Sequence, residues 1–204
     1  VSAGATNGNY TATFTGLDYG YYVVAVPGAT LANTSGQYAT LVSVDSTNVN
    51  ANIKGSLPTV DKKVQVNGNG ADTADAKIGD TLTFTLTSTI PDMSAYDTYT
   101  FNFKDTLSKG LTYGDITSVT VEGVDAPLVK DTDYTVTTTP AAAGNTLLTV
   151  GMTDFKNKQQ TNAGKKITVT YTATLNENAV VGGAGNVNSA TIQYSNDPSS
   201  TGTG

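Results

Sequence analysis

The chain has 204 residues, of which 38% are hydrophobic and only 14% charged, with a net charge of −6. That acidic balance argues against nucleic acid or an anionic membrane surface as a partner. Cys, His and Trp are all absent, which removes disulfides, thiolate metal sites, most zinc sites and Ser-His or Cys-His nucleophilic machinery.

Thr, Val and Tyr recur along the chain, whereas helix-forming runs of Leu, Glu, Lys and Ala are missing, so an all-β protein is expected. No apolar run is long enough to span a bilayer, and the start lacks a signal-peptide pattern. The chain reads as part of a longer, exported protein. Residues 1–56 give short strands: Tyr10 to Phe14 alternates, 21-YYVVAV-26 is a buried-type run, and 38-YATLVSV-44 alternates again. Asn7-Gly8 and Pro27-Gly28 punctuate them. So few strands do not close a sandwich, so this segment is read as the C-terminal part of a preceding β-domain. Ser56-Leu57-Pro58 marks the boundary, because a proline biases its predecessor toward extended backbone.

From residue 57 to 198 a complete pattern follows. Strands are expected near 59–66, 81–90, 98–104, 116–122, 133–138, 146–152, 166–175 and 187–194, divided by turn chemistry at 67-NGNG-70, 79-GD-80, Lys109-Gly110, Glu122-Gly123, Gly144-Asn145 and 182-GGAG-185. Many short strands at this spacing predict an immunoglobulin-like antiparallel β-sandwich. Residues 199–204 have the composition of a flexible linker.

Three strands carry a polar residue on an apolar face, since side chains alternate between faces. Lys62 falls with Val60, Val64 and Val66; Asp105 falls with Phe101 and Phe103; Asn188 falls with Ala190, Ile192 and Tyr194. Each has an ordinary reading: a snorkelling lysine, a turn residue closing a strand before Thr106, and a hydrogen-bonded core amide. A one-residue slip would substitute Lys63 for Lys62, or Asn186 for Asn188. Taken together, the three also fit one reaction. An apolar surrounding disfavours the ammonium form of Lys62, and a neutral amine is a nucleophile. A buried, protonated Asp105 would polarise the Asn188 carbonyl and move protons. Loss of ammonia then leaves a Lys–Asn amide, with fixed geometry replacing concentration.

The segments 58-PTVDKKV-64, 78-IGDTLTFTL-86, 96-YDTYTFNFKDTLSKGLTY-113 and 188-NSATIQYSNDP-198 together resemble the isopeptide-forming domains of Gram-positive backbone pilins, most of all their second, CnaA-like domain. The stretch 16-GLDYGYYVV-24 is similar to the end of the preceding pilin domain. The resemblance implies a Lys62–Asn188 isopeptide cross-link with Asp105 as its catalytic acid. It also implies a cell-wall-anchored, extracellular pilus and neighbouring subunits joined by sortase. The Tyr-Pro-Lys motif of pilin polymerisation is missing; Lys54 in 52-NIKGSLP-58 stands at a similar place as the possible sortase acceptor. The tetrapeptide 57-LPTV-60 is not a sorting signal.

Other lookalikes are weaker. The loop 182-GGAGN-186 does not lead into a helical pattern, as a phosphate-cradling loop would. The acidic stretch 67-NGNGADTAD-75 lacks EF-hand spacing for Ca²⁺. Asp80 after Gly79 is read as turn chemistry. No cofactor or metal is expected. Three function classes compete: a covalently stapled pilus shaft, an adhesin module binding a host ligand, and a secreted hydrolase. The hydrolase lacks a paired-carboxylate cleft, and without Trp the adhesin has no usual sugar platform. The shaft reading leads.

Overall fold

The computed structural model describes residues 2–6, 9–25, 39–47, 49, 58–66, 69–94, 96–182 and 185–195. The chain divides into two compact units, Val1–Leu57 and Pro58–Gly204. Lys54 and the 199–204 tail lie outside the described residues.

Among its described residues the first unit contains two antiparallel ribbons. β1 (Ser2–Thr6) pairs with β2 (Asn9–Thr13), and β3 (Gly20–Ala25) pairs with β4 (Ala39–Val44). The expectation that the run from Tyr21 is buried needs correction: Tyr21 and Val23 are exposed while Tyr22 and Val24 are half-buried. Alternation explains it, because a two-stranded ribbon has one face with no cover among the described residues.

The second unit is a sandwich of two antiparallel sheets, as the alternating patterns require. One sheet has the order β6 (Asn69–Ala71), β5 (Asp61–Val66), β7 (Thr81–Thr89), β12 (Lys166–Leu175), β9 (Leu111–Val121). The other has the order β10 (Tyr134–Pro140), β11 (Thr146–Met152), β8 (Phe101–Leu107), β13 (Asn188–Tyr194). The first and last strands of the unit, β5 and β13, therefore belong to opposite sheets. Inward residues form one core. Phe84 and Leu86 of β7, Val119 and Val121 of β9, and Ile167, Val169 and Ala173 of β12 face it from the first sheet. Phe101, Phe103 and Leu107 of β8 and Leu148 and Val150 of β11 face it from the second. Thr fills much of the outward face, where its β-branched side chain suits the pleat.

Several features depart from the sequence expectation. β8 covers Phe101–Leu107 where 98–104 was expected, and β6 begins inside the expected 67–70 turn. A short helix, α1 (Phe155–Gln159), follows β11 and plants Phe155 in the core, stacked on Phe101 with centroids 4.5 Å apart. β9 begins at Leu111 rather than 116, and its pairing with β12 shifts register twice, between Thr170 and Tyr171 and between Tyr171 and Ala173. Gly114 lies in this irregular stretch. A Cβ there would stand 2.5 Å from Thr172 Oγ1, so only glycine lets the strands approach.

Candidate functional site

The three polar residues singled out in the sequence are brought to one cluster within the core. Lys62 stands on β5 opposite Leu86 of β7, so the apolar alternation of both strands turns it inward. Asp105 occupies the middle of β8, where the burial pattern alternates without a break, and it is 0% exposed. The strand runs on through Thr106 and Leu107, so the turn-residue reading of Asp105 is replaced by a core position. Asn188 opens β13 opposite Leu107, one inward step along the pair from Ala190 opposite Asp105.

Lys62 Nζ lies 2.6 Å from both Asp105 carboxylate oxygens. The amine also sits 5.1 Å from the Phe84 ring centroid and 6.0 Å from that of Tyr171, two rings stacked with centroids 5.3 Å apart. These aromatic faces stabilise the cation, but they also keep water away. Burial pulls the Lys62 ammonium down from 10.5 to about 8, against the opposing charge and hydrogen bond of Asp105. Burial thus favours the neutral amine more than it would for a solvated lysine.

Tyr171 completes the cluster. Its hydroxyl donates to Asp105 Oδ2 at 2.6 Å and accepts from Asn188 Nδ2 at 2.7 Å. Because the single phenol proton is committed to the carboxylate, only the nitrogen of the carboxamide can face the phenol oxygen. Asn188 Oδ1 is thereby turned elsewhere, buried and without a hydrogen-bond partner among the described residues. The expected contact from the acid to the carbonyl oxygen is thus replaced by a phenol bridge to the amide nitrogen. Burial first, then the charge and hydrogen bond of Asp105, push the Tyr171 phenol above its ordinary value.

The register alternates have other occupations. Lys63 faces outward and binds Asp72 at 2.7 Å and Asp61 at 3.4 Å. Asn186 pins a loop, accepting from Val180 N at 2.9 Å and donating to Val180 O at 3.1 Å. Its side chain fills the space beside Gly110, where a Cβ would lie 2.2 Å from Asn186 Oδ1. Asp80 accepts from Lys77 N at 2.7 Å within its turn. In the acidic stretch considered for Ca²⁺, Asp72 is engaged by Lys63. No group of three or more acidic side chains able to hold a metal occurs among the described residues.

Tyr171 is the functional candidate that the sequence reading passed over. Its strand 166-KITVTYTATL-175 was expected, and a Tyr on the apolar face between Val169 and Ala173 reads as core. The available signal was its polar tip, which needs a partner when the ring is buried.

A family model described as the Gram-positive pilin backbone subunit 2, Cna-B-like domain, matches residues 78–198. The description reads Cna-B-like where the sequence resembles CnaA-like domains; the pilin family is the expected one. Among solved structures, the pilus backbone RrgB of Streptococcus pneumoniae is 28% identical, with a TM-score of 0.50 over 68% of this chain and 53% of its own. Full-length major pilin SpaD of Corynebacterium diphtheriae is 25% identical, with a TM-score of 0.58 over 95% of this chain and 49% of its own. The C-terminal fragment of the major pilin GBS80 of Streptococcus agalactiae shares the fold at 24% identity, with a TM-score of 0.58 over 73% of this chain and 53% of its own. The chain spans about half the length of these relatives. No curated protein matches it.

Proposed function

The chain belongs to the Gram-positive pilin backbone family, and on that premise we propose that it is a structural part of a surface pilus. In this reading its second unit is held by an autocatalytic isopeptide bond between Lys62 and Asn188. The observation that carries the proposal is the buried run of contacts from Lys62 through Asp105 and Tyr171 to Asn188, which links the first and last strands across the two sheets. Such a cluster of polar groups is an expensive way to build a core. A chemical purpose accounts for it.

Asp105 takes a proton from Lys62, leaving a neutral amine held in the cluster that contains Asn188. The amine adds to Asn188 Cγ, and departure of ammonia leaves the amide. Each molecule reacts once and on itself, so the chain acts on no separate substrate. The first unit then reads as the end of a preceding pilin domain, a reading supported by the likeness to SpaD over 95% of the chain. Partners would be neighbouring pilin subunits joined by sortase outside the cell, with Lys54 as a candidate acceptor.

Intact mass tests the bond directly. The purified chain should weigh one ammonia less than its sequence, and tryptic digestion should release a branched peptide holding Lys62 and Asn188. An unshifted mass would overturn the cross-link.

A further inference from the structure

We propose that Tyr171 is a catalytic residue of the cross-linking reaction, carrying the proton that releases ammonia from Asn188. The inference rests on the isopeptide reading above and assigns a role that reading leaves open. Amide nitrogen is a poor leaving group unless it is protonated as the carbon–nitrogen bond breaks. Once Asp105 has taken the proton of Lys62 it is the nearby acid, yet its two oxygens are bonded by Lys62 and by the Tyr171 hydroxyl. The Tyr171 oxygen in turn lies 2.7 Å from Asn188 Nδ2. The phenol is therefore the bridge between the acid and the leaving nitrogen.

The direction of that bridge fits the chemistry. In the planar carboxamide the nitrogen lone pair is delocalised, so Nδ2 can only donate, and it does so to the phenol. When Cγ becomes tetrahedral the lone pair is freed and Nδ2 becomes an acceptor. The hydrogen bond then reverses without any heavy atom needing to move far.

The steps balance as follows. The Lys62 ammonium gives one proton to Asp105, and the neutral amine forms the Nζ–Cγ bond. Asp105 Oδ2 passes its proton to the Tyr171 oxygen as the phenol proton moves to Nδ2. The Cγ–Nδ2 bond breaks and ammonia leaves with three hydrogens. Nζ then returns its surplus proton to Asp105, which ends as the acid, while Tyr171 ends unchanged.

Two further observations argue that Tyr171 is held for this purpose. The register shifts of the β9–β12 pair fall on both sides of it, and irregularities of this kind re-aim a side chain beside reacting groups. Its ring is also fixed by the stack on Phe84, so the hydroxyl has little freedom to leave the bridge.

The test follows the mass of the full chain with time after a pulse of cell-free synthesis. Parent, Asp105→Ala, Tyr171→Phe and a chain with fluorotyrosine at position 171 are compared. Phenylalanine keeps the ring and removes the relay, so cross-linking should slow by on the order of 10²- to 10⁴-fold, the usual worth of a positioned acid. Fluorotyrosine keeps the shape and changes the phenol's acidity, so its rate should differ from the parent's, which a purely structural ring would not cause. Tyr171→Phe reacting at the parental rate, or fluorotyrosine reacting at the parental rate, overturns the role. Should Tyr171→Phe fail to fold, the fluorotyrosine rate alone decides. A parent that never loses ammonia overturns the isopeptide reading itself, a distinguishable result.

Discussion

Lys62 and Asp105 come from opposite sheets of one sandwich, and the amine reaches both carboxylate oxygens at 2.6 Å. With Lys62 side chain 15% exposed and Asp105 fully buried, neither is well solvated, and the desolvation cost of a buried pair offsets much of its attraction. The pair is better understood as an amine set against an acid that can take its proton in the proposed reaction. Its chemistry follows from where that proton sits.

Asp105→Ala should leave the sandwich formed but abolish the Lys62–Asn188 bond or slow it by at least about 10²-fold, because no group remains to take the proton from Nζ. Asp105→Asn should do likewise, since it keeps the shape and lacks the acidity. Time-resolved intact mass reads both. Either variant reacting at the parental rate would assign the proton transfer to another group.

The pH dependence of cross-linking should run opposite to that of a simple amine nucleophile. The reactive arrangement, neutral Lys62 with protonated Asp105, has the same proton count as the ion pair. Its population is therefore insensitive to pH while the pair retains its proton. Above the Lys62 value of about 8 the pair loses it, leaving a good nucleophile with no proton for the leaving nitrogen. The rate should be flat near neutrality and fall by roughly tenfold per pH unit beyond that point. A rate that climbs steadily through this range would mean that the acid contributes nothing to ammonia release.

Much of this site was legible before the structure, for a physical reason. The strands that carry Lys62 and Asn188 alternate cleanly, so a polar residue in phase with Val64 or Ile192 announces itself. The expected strands at 146–152 and 166–175 match β11 and β12, where alternation is long and regular. Legibility failed where alternation is interrupted. β9 was expected from 116 because Gly114 and the two register shifts mask its first residues. α1 spans too few residues for helical periodicity to show. Tyr171 was missed because an aromatic ring on an apolar face satisfies the pattern, and the pattern says nothing about where a hydroxyl points.

Stability of the uncross-linked protein should carry the signature of a desolvated lysine. In Asn188→Ala the amine of Lys62 stays free. Its folded value of about 8 lies below the ordinary 10.5, so between these limits the unfolded chain binds more protons and stability rises with pH. The rise begins near 8. Tyr171, whose value is raised above the ordinary 10.0, opposes it at higher pH, as do Tyr99 and Tyr113, because there the folded state holds the extra proton. These tyrosines are common to the parent, so the lysine shows in the difference. Relative to a cross-linked parent, which would have an amide at position 62, Asn188→Ala should gain on the order of 2–3 kcal/mol between these limits in denaturant unfolding. A profile parallel to the parent's would mean that Lys62 is solvated in the folded state.

The last prediction concerns what the bond does for a protein under load. Positions 62 and 188 enclose on the order of 130 residues, and closing a loop of that size stabilises by about 4–5 kcal/mol in the chain-entropy account, less any native strain. The mechanical consequence follows from topology. β5 and β13 are the first and last strands of the unit and lie in different sheets, so a pull on its two ends would otherwise separate the sheets. With the bond in place the load passes from strand to strand through a covalent amide, and fewer open states are available to proteases. Asn188→Ala should therefore lower the melting temperature by on the order of 10 °C and increase trypsin sensitivity. Lys62→Ala should fall further, because it loses the same bond and leaves the buried Asp105 carboxylate without its cation. Asp105→Ala should lie between them, since Lys62, partly exposed, can turn its amine toward water. Melting curves and timed trypsin digestion of the four proteins decide the matter. If all four melt together and are cut at the same rate, the bond is not what lets this domain bear tension.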